Sequence, residues 1–330
     1  VNPLAGVPTT VLVAPDSFKG TLTAAEVERA IGHGLEAAGR PVDLCPVADG
    51  GEGTLAALAD PLGAREHRAR VTDPLGRPIE ASFALGGQDA IVETAAASGL
   101  HLVNPDERAA ITASSAGTGE LIMAAVAAGA KTVYLGVGGS ATTDGGAGAI
   151  RAIQRGGGLG SARLVVLCDV RTPFEDAARV FAPQKGADPE AVRKLTARLH
   201  ALARRWARDP RGAPMTGAAG GLSGGLWAAL GAELVPGAAF VLDAIGFDGR
   251  MRAARAVVTG EGKLDAQSLT GKVVSEVATR ARQAGVPCHA IVGRRELDTF
   301  GARILDLQTI REAGTPAALR AAGRSLAAEL

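Results

Sequence analysis

Residues 256–272 read AVVTGEGKLDAQSLTGK and lead into a helical pattern that continues to about Gly285. The apolar run at their start predicts a buried strand, so the order is strand, glycine-rich loop and helix. This order is typical of an α/β protein with a parallel sheet. The loop can present backbone N–H groups and a helix N-terminus to an anion, and its carboxylates can hold a divalent metal. Phosphoryl transfer needs both kinds of group in one place.

The same order of strand, loop and helix opens the chain. An apolar run at 11–14 predicts a buried strand, and the polar loop 16–20 follows it. Thr23 and Glu26 then have the spacing of a capping box at the start of a helix. A further strand is followed by the glycine-rich loop 48–54. Because ligands bind at the carboxyl ends of strands in open α/β sheets, we expect these loops to form one polar site.

The middle of the chain has a different pattern. Between about 66 and 103, short alternating runs are separated by turn signals, which predicts antiparallel strands. Because the α/β pattern stands on both sides of this part, we expect the first domain to be discontinuous. We predict one α/β domain formed by residues 1–63 and 250–330, with a second α/β domain, residues 64–249, inserted into it.

Composition and charge argue against several classes of protein. The formal net charge is +1, which gives no electrostatic case for nucleic acid or an acidic membrane as partner. No apolar stretch approaches the ~20 residues of a membrane helix, and no signal-peptide pattern is present at the N-terminus. The three cysteines have no CxxC spacing and the five histidines are scattered singly. We therefore expect a reduced, cytoplasmic protein without structural zinc.

Four loops combine glycine with hydroxyls or charged side chains. They contain the pairs Asp16 with Lys19, Asp49 with Glu52, Ser140 with Asp144, and Glu261 with Lys272. Tight-turn geometry explains a single glycine loop equally well. Four such loops at predicted strand ends favour a polar cleft that binds a ligand.

Two further residues are candidates for chemistry. Asp169 follows the predicted strand 164–167, where it would bind a metal or accept a proton; the alternative is a helix cap or a structural salt bridge. Lys185 lies in a loop just before the helix that Asp188 is expected to cap, and it can meet a carboxylate or phosphate as a point charge. The basic residues at 193–208 fall on the polar face of that helix, which indicates a solvated surface.

An alternative class rests on residues 136–141, which match the GxGxxA dinucleotide fingerprint after a strand. The acidic residue expected ~20 positions further on is missing, since the next carboxylate after Asp144 is Asp169. A nicotinamide-dependent hydroxyacid oxidoreductase is therefore the weaker alternative. Walker A and protein-kinase signatures are absent, so a phosphotransferase would use another scaffold.

Six motifs, in order along the chain, resemble those of bacterial two-domain glycerate kinases. They are the segments 16–20, 48–54, 138–146, 183–187, 217–222 and 259–272. The resemblance implies ATP-dependent phosphorylation of D-glycerate, mostly at the 2-hydroxyl, which gives 2-phosphoglycerate. It also implies an α/β fold in which a flavodoxin-like parallel-sheet domain is interrupted by a second, inserted α/β domain. The active site would lie in the cleft between the two domains.

The chain departs from the family pattern at several points. Thr143 stands where the family usually has Asn, and Ala116 where it usually has Tyr. The stretches 153–164, 171–180 and 294–305 look shorter than is usual. These departures leave open a family member that binds ligands but is catalytically impaired. A kinase for a related small hydroxyacid is also open, because the sequence does not define the shape of the pocket.

Positioning and charge neutralisation account for most of the rate in phosphoryl transfer, which guides the choice of site residues. The predicted catalytic residues are Asp16, Lys19, Asp49, Asp169 and Lys185. The predicted substrate- or nucleotide-binding residues are Ser17, Gly50, Glu52, Gly138, Gly139, Ser140, Thr142, Asp144, Gly260, Glu261, Lys263, Asp265, Ser268 and Lys272. Asp169 and Glu261 are the predicted ligands of Mg²⁺. ATP and Mg²⁺ are the expected cofactors, D-glycerate is the expected substrate, and a homodimer is compatible with the sequence.

Overall fold

The computed structural model describes residues 9–168, 170–269 and 271–330. Its strands, in chain order, are β1 Val11–Pro15, β2 Val42–Leu44, β3 Arg65–Thr72, β4 Pro78–Gly86, β5 Asp89–Glu93, β6 Thr132–Gly136, β7 Arg163–Cys168, β8 Glu233–Pro236, β9 Ala256–Gly260, β10 Lys263–Leu264, β11 Cys288–Val292, β12 Arg294–Arg295 and β13 Ile310–Glu312. Its α-helices are α1 Ala24–Glu36, α2 Thr54–Ala59, α3 Thr94–Ser98, α4 Ala116–Ala127, α5 Ala147–Arg155, α6 Ala177–Phe181, α7 Pro189–Ala203, α8 Ala218–Leu230, α9 Gly237–Ala244, α10 Phe247–Arg252, α11 Val273–Ala284, α12 Thr299–Ile304 and α13 Pro316–Leu326.

The chain forms two compact units. The first unit extends to Asp49 and resumes at Ala238, and the second unit runs from Gly50 to Gly237. The sequence pattern places these transitions later, at 63/64 and 249/250. The first difference arises because α2 packs against β5 in the second unit, where Leu55 N–H donates to Glu93 Oε1 at 2.8 Å. The second arises because α9 contributes to the core of the first unit.

The sheet of the first unit is parallel throughout. Its strand order is β2–β1–β9–β11–β13, which is 2-1-3-4-5 when the strands of this unit are counted along the chain. This is the flavodoxin-like order, so the predicted fold class is confirmed. Both β1 and β9 are buried along their whole length, because α1 and α13 cover one face and α9 to α11 cover the other. The strand order reverses between β1 and β9, and ligands bind beyond the carboxyl ends at such a point.

The sheet of the second unit is mixed, with the order β3–β4–β5–β6–β7–β8. The pairs β3–β4 and β4–β5 are antiparallel, which confirms the predicted antiparallel strands up to Glu93. Residues 94–98 and 100–102 are helical instead. From β5 to β8 the strands are parallel, so the loops after β6 and β7 leave from the same edge. Strands β5 to β7 and helices α4, α5 and α8 enclose the main core of this unit.

Local capping signals place the helix starts. Thr23 caps α1 in a reciprocal capping box with Glu26, and the Asp188 side chain accepts a hydrogen bond from Ala191 N–H at the start of α7, as predicted. Helix α8 begins with left-handed residues at 219–221. Among the described residues, none of the helices combines the length and apolar character needed to cross a bilayer.

Candidate active site

A cavity of about 390 Å³ opens at the carboxyl edge of the first unit's sheet, where the strand order reverses. Its lining includes the residues that directly follow β1, β9 and β11. The lining residues are Asp16, Ser17, Phe18, Lys19, Thr21, Asp49, Glu261, Gly262, Lys263, Asp265, Lys272, Gly293, Arg294 and Gly314. The loop 16–20, Asp49 and the loop after β9 therefore contribute to one cavity. Residues 138–146, the remaining loop of the predicted cleft, are not among its lining residues.

Asp16 is the buried carboxyl directly after β1. Its Oδ1 accepts a hydrogen bond from Ser17 N–H at 2.6 Å, and its residue is 4% exposed. Burial raises the pKa of Asp16 well above its usual range, and the nearby Asp49 raises this pKa further, while Lys19 lowers it. A carboxyl whose pKa is raised towards the working pH is suited to accept a proton from a substrate hydroxyl.

Asp49 is paired with a cationic side chain. Lys19 Nζ lies 2.9 Å from Asp49 Oδ2, and the side chains are 52% and 1% exposed. The buried carboxylate thus holds the ammonium group of a side chain that is half exposed. Lys19 can therefore neutralise part of the charge of an anion that enters the cavity.

Glu261 is the buried carboxyl directly after β9. Within the described residues its Oε1 has no hydrogen-bond partner, although it is shielded from solvent. Burial raises the pKa of Glu261 to about 7, against the opposing effects of a hydrogen bond with Ser268 and the charge of Lys272. A buried carboxylate oxygen without a partner is costly, so its place in the cavity wall favours a ligand such as a cation or a hydroxyl.

The chemistry of this wall fits Mg²⁺, which prefers oxygen ligands and commonly uses one or two carboxylates together with substrate phosphates. Glu261 and Asp16 supply such oxygens, and both line the cavity. No group of three or more His, Cys, Asp or Glu side chains in the described ranges is arranged to hold a metal by itself. Asp169, the other predicted metal ligand and a predicted catalytic residue, lies outside the described residues.

The loop after β9 is shaped by its own side chains. Asp265 N–H donates to Ser268 Oγ at 3.0 Å, and Gln267 N–H donates to Asp265 Oδ1 at 2.9 Å. Lys263 Nζ lies 3.4 Å from Asp265 Oδ2. Asp265 and Ser268 are predicted to bind substrate or nucleotide, and the structure gives them a structural role as well. Their hydrogen bonds fix the turn after Lys263, and Asp265 holds the Lys263 side chain.

Helix α11 starts at the end of this loop. Lys272 is its N-cap residue and makes no side-chain capping hydrogen bond within the described residues. The N–H groups at a helix start lack partners inside the helix and favour an anion. Gly260 has a different role. A Cβ atom there would stand 2.0 Å from Ile291 O, so glycine is required for close packing of β9 against β11.

A second group of predicted residues meets in the second unit. Lys185 Nζ donates to Ser140 Oγ at 2.9 Å and to Thr142 O at 2.6 Å. Lys185 is 3% exposed, and burial lowers its pKa to about 7, while Asp144 raises it. The Thr142 hydroxyl is buried and has no hydrogen-bond partner among the described residues. The structure therefore brings Lys185 to the loop after β6, although these residues are distant in sequence.

The carboxylate of Asp144 fixes the loop after β6 through hydrogen bonds. Its Oδ2 accepts hydrogen bonds from Ser115 N–H at 3.0 Å, from the Ser115 hydroxyl at 2.9 Å and from Gly148 N–H at 3.0 Å. Its Oδ1 accepts from Gly146 N–H at 3.1 Å. These bonds occupy the carboxylate and join α4 to the start of α5, so the geometry favours a structural role over the predicted ligand contact.

The glycines at 50, 138 and 139 permit close backbone packing. A Cβ atom on Gly138 would stand 2.5 Å from Gly51 Cα, and one on Gly139 would stand 2.4 Å from Glu52 Oε1. A Cβ atom on Gly50 would stand 2.8 Å from Leu167 O. Turn and packing geometry thus explains these glycines, as the alternative interpretation of the loops allows. Their predicted contact with substrate stays a prediction.

The nicotinamide alternative does not agree with the geometry of residues 136–141. In a dinucleotide fingerprint the helix begins within the glycine motif, so that its N-terminus meets the pyrophosphate. Here α5 begins only at Ala147, and its N-cap Gly146 is tied to Asp144. In the loop between β6 and α5, Ser140 and Thr142 accept hydrogen bonds from the ammonium group of Lys185.

Arg294 is a cavity residue that the sequence reasoning missed. It follows β11 and pairs with Lys263 in the short parallel ladder of β10 and β12. Arg294 lies just beyond the carboxyl end of β11, so the rule that ligands bind at strand carboxyl ends also points to this segment. A two-residue ladder, in contrast, is too short to produce a recognisable pattern in the sequence.

Together, the strand order and the charged cavity define a flavodoxin-like α/β protein with an interrupting second α/β unit and a candidate ligand site at the point of strand-order reversal. The sequence profile of the glycerate kinase family matches residues 11–157 and 154–313. The chain belongs to the glycerate kinase family.

Relatives of known name agree with this assignment. The glycerate kinase of Halalkalibacterium halodurans is 38% identical over 323 residues, covering 86% of this chain and 85% of the relative. The glycerate 2-kinase of Escherichia coli is 37% identical over 322 residues, covering 86% and 84%. The crystal structure of a candidate glycerate kinase 2 from Salmonella typhimurium LT2 superposes with a TM-score of 0.79 at 33% identity, covering 98% of each chain.

Proposed function

We propose that this protein transfers the γ-phosphoryl group of ATP to D-glycerate, at the 2-hydroxyl, to give 2-phosphoglycerate. The observation that carries the proposal is the cavity of the first unit, which is lined by both buried carboxyls and cationic side chains. The proposal is supported by the chain's family and by relatives named glycerate kinase and glycerate 2-kinase.

Asp16 is the proposed acceptor of the proton from the reacting hydroxyl. Its raised pKa comes from burial, which would make the carboxylate a stronger base than an exposed aspartate. Lys19, held by Asp49, would neutralise charge on the transferring phosphoryl group. Lys185 is proposed to act on an anionic group of the reactants from the second unit. The predicted active site in a cleft between the domains stays a prediction.

Glu261 would hold Mg²⁺ in this cavity, while Asp16 keeps the role of proton acceptor. When bound, the metal would neutralise negative charge on the phosphates of the nucleotide. The proposed role of the chain's own groups is to fix the phosphates and the hydroxyl in line, because most of the rate in phosphoryl transfer comes from positioning and charge neutralisation. Asp169 stays a predicted catalytic residue and metal ligand.

The direct test is incubation of the purified protein with D-glycerate, ATP and Mg²⁺, with the product resolved by phosphorus NMR. A 2-phosphoglycerate signal is the expected result. A 3-phosphoglycerate signal would retain the kinase and correct the position of the hydroxyl. Binding of both ligands without product would replace the proposal with the catalytically impaired family member. Absence of both binding and product would refute it.

We also propose that the reaction takes place in the cytoplasm, where ATP is available. The homodimer stays a prediction, and light scattering of the purified protein measures it. Measurement of the rate of phosphorylation of D-glycerate and of other small hydroxyacids by ATP tests the choice of substrate. A second hydroxyacid with a higher kcat/KM than D-glycerate would contradict the proposed substrate.

A further inference from the structure

Four cationic side chains line the cavity of the first unit: Lys19, Lys263, Lys272 and Arg294. A glycerate molecule carries one carboxylate, whereas the triphosphate chain of a nucleoside triphosphate carries several negative charges next to one another. Phe18 is the aromatic residue in the described lining and is 2% exposed, so it does not present a ring face to a base. The cavity therefore matches a polyphosphate better than it matches glycerate or adenine.

Deepening the proposed function, on which this step rests, we infer that the cavity of the first unit takes the Mg²⁺-bound phosphates of the nucleotide. Arg294 is a further phosphate-binding residue, and Glu296 is a positioning residue that holds Arg294 and Lys263 at the rim. The observations that carry this assignment are the geometry of the β10–β12 ladder and the buried, unpartnered oxygen of Glu261.

The ladder of β10 and β12 joins two loops at the carboxyl edge of the sheet. Lys263 pairs with Arg294, Gly293 N–H donates to Glu261 O at 3.0 Å, and Arg294 N–H donates to Gly262 O at 3.0 Å. A Cβ atom on Gly293 would stand 2.4 Å from Gly262 O, so the two backbones are in close contact. The ladder thereby fixes the backbone that carries the two cations.

Glu296 lies behind these cations and contacts both. Its Oε2 is 2.7 Å from Lys263 Nζ, and its Oε1 is 3.3 Å from Arg294 Nε. The Arg294 side chain is 73% exposed, so the rest of its guanidinium remains accessible to a ligand. A planar guanidinium can bind a phosphate through two parallel hydrogen bonds. Holding both cations before the ligand arrives lowers the conformational entropy that binding would cost.

The same cavity also contains a carboxylate that can bind the metal ion of a metal-bound polyphosphate. Glu261 is 6% exposed, and within the described residues its Oε1 makes no hydrogen bond. Lys272, the N-cap residue of α11, also lines the cavity and has no side-chain cap within the described residues, so the helix start there favours an anion. A metal-bound polyphosphate satisfies the carboxylate through its metal and the N–H groups through its oxygens.

The test uses the full chain and two probes, magnesium tripolyphosphate and D-glycerate, each titrated by calorimetry. In Arg294→Ala we expect the Kd of magnesium tripolyphosphate and the KM for ATP to rise about tenfold, because one charge-assisted contact is lost. The KM for D-glycerate should change less than twofold. Arg294→Lys should recover part of the lost affinity. Arg303→Ala, an exposed change on the neighbouring α12, is the control and should keep the wild-type values.

Glu296→Gln separates positioning from a merely structural role. We expect a rise of about threefold in the KM for ATP with unchanged kcat and unchanged melting temperature, and a smaller rise in the Arg294→Ala background. A change in melting temperature without a change in KM would refute the positioning role. A rise in the KM for D-glycerate alone would overturn the assignment of the cavity. Calorimetric titration with magnesium tripolyphosphate does not require turnover. It therefore tests the phosphate site even if the protein has no kinase activity and the proposed function fails.

Discussion

Buried carboxyls in this protein differ in what surrounds them. Asp49 has the ammonium group of Lys19 at 2.9 Å, whereas Glu261 has an oxygen without a partner among the described residues. Burial of a charged group is costly unless it is paired, so an unpaired buried carboxyl is a candidate for function. Glu28 shows that this inference has limits, because it is equally buried but lies on α1, outside the cavity.

Replacement of Asp16 tests the proposed proton acceptor. In Asp16→Asn the side chain keeps its size and loses its basicity, so we expect kcat to fall about 10²–10⁴-fold. Because burial of the charged form is also removed, the variant should be no less stable than the wild type. The measurements are steady-state kinetics and thermal melting. A kcat within threefold of the wild type would contradict the assignment, and the exposed Asp60→Asn serves as the control.

Glu28 predicts a pH dependence of stability that has no connection with catalysis. Burial raises its pKa to about 7, with Arg29 and Arg250 opposing the rise and Asp43 adding to it. The folded state therefore keeps the proton between about pH 4.5 and 7 where the unfolded state releases it, so stability falls as pH rises through this window. We expect Glu28→Gln to be more stable at pH 8, on the order of 1–3 kcal/mol, and to differ less at pH 5.

Urea unfolding of Glu28→Gln at both pH values measures this difference. Glu36→Gln is the matched control, because Glu36 lies on the same helix and is exposed. An equal change in stability at pH 5 and pH 8 would show that the carboxyl of Glu28 does not titrate in this window.

At the scale of the element, helices α1 and α13 pack through glycine. A Cβ atom on Gly34 would stand 2.2 Å from Arg320 O, and one on Gly323 would stand 2.5 Å from Ile31 O. The two backbones are thus closer than any side chain would allow. This contact covers one face of the parallel sheet, so the helix pair stabilises the strands that carry Asp16 and Glu261.

Gly34→Ala should separate this helix pair. The new methyl group meets backbone, which cannot move aside like a side chain, so we expect a loss of about 1–3 kcal/mol or more. Gly249→Ala is the control: it lies exposed in α10 with no atom near its added Cβ, and it should gain up to about 1 kcal/mol. Chemical denaturation measures both. Equal stability of the two variants would mean that α1 and α13 do not pack as described.

The elements that the sequence predicts well are those with local signals. The capping box of Thr23, the N-cap of Asp188 and the apolar run of β9 depend on residues a few positions apart. The left-handed start of α8 depends instead on distant packing, since a Cβ atom on Gly220 would stand 2.1 Å from Thr142 O. Propensity and periodicity contain no information about that contact.

At the scale of the whole molecule, the sequence predicts which loops carry chemistry but not which loops meet. The rule for strand ends correctly groups Asp16 and Glu261, because both follow neighbouring parallel strands. It cannot place Lys185, whose loop precedes a helix and reaches Ser140 through the tertiary fold of the second unit. It also cannot separate Asp144, a capping residue, from the ligand-binding residues that share its motif.

Lys185 is the place where stability and function should be in conflict. Burial lowers its pKa to about 7, so between that pH and its ordinary range near 10.5 the unfolded chain holds a proton that the folded chain has lost. Stability therefore rises with pH across this window, and at neutral pH the buried ammonium is a cost. In Lys185→Met the lost hydrogen bonds to Ser140 and Thr142 cost about 0.5–1.5 kcal/mol each, whereas removal of a buried charge recovers several.

We therefore expect Lys185→Met to melt no lower than the wild type at pH 7, and the gap between them to narrow towards pH 9. If Lys185 neutralises charge on the reactants, kcat should fall at least about 100-fold in the same variant. Thermal melting at both pH values and kinetics with ATP and D-glycerate measure the two effects. Lys194→Met, an exposed change on α7, controls for the loss of a surface charge. A variant that is destabilised and fully active would reverse the argument: the ammonium would then be a structural group, retained because it holds the loop after β6.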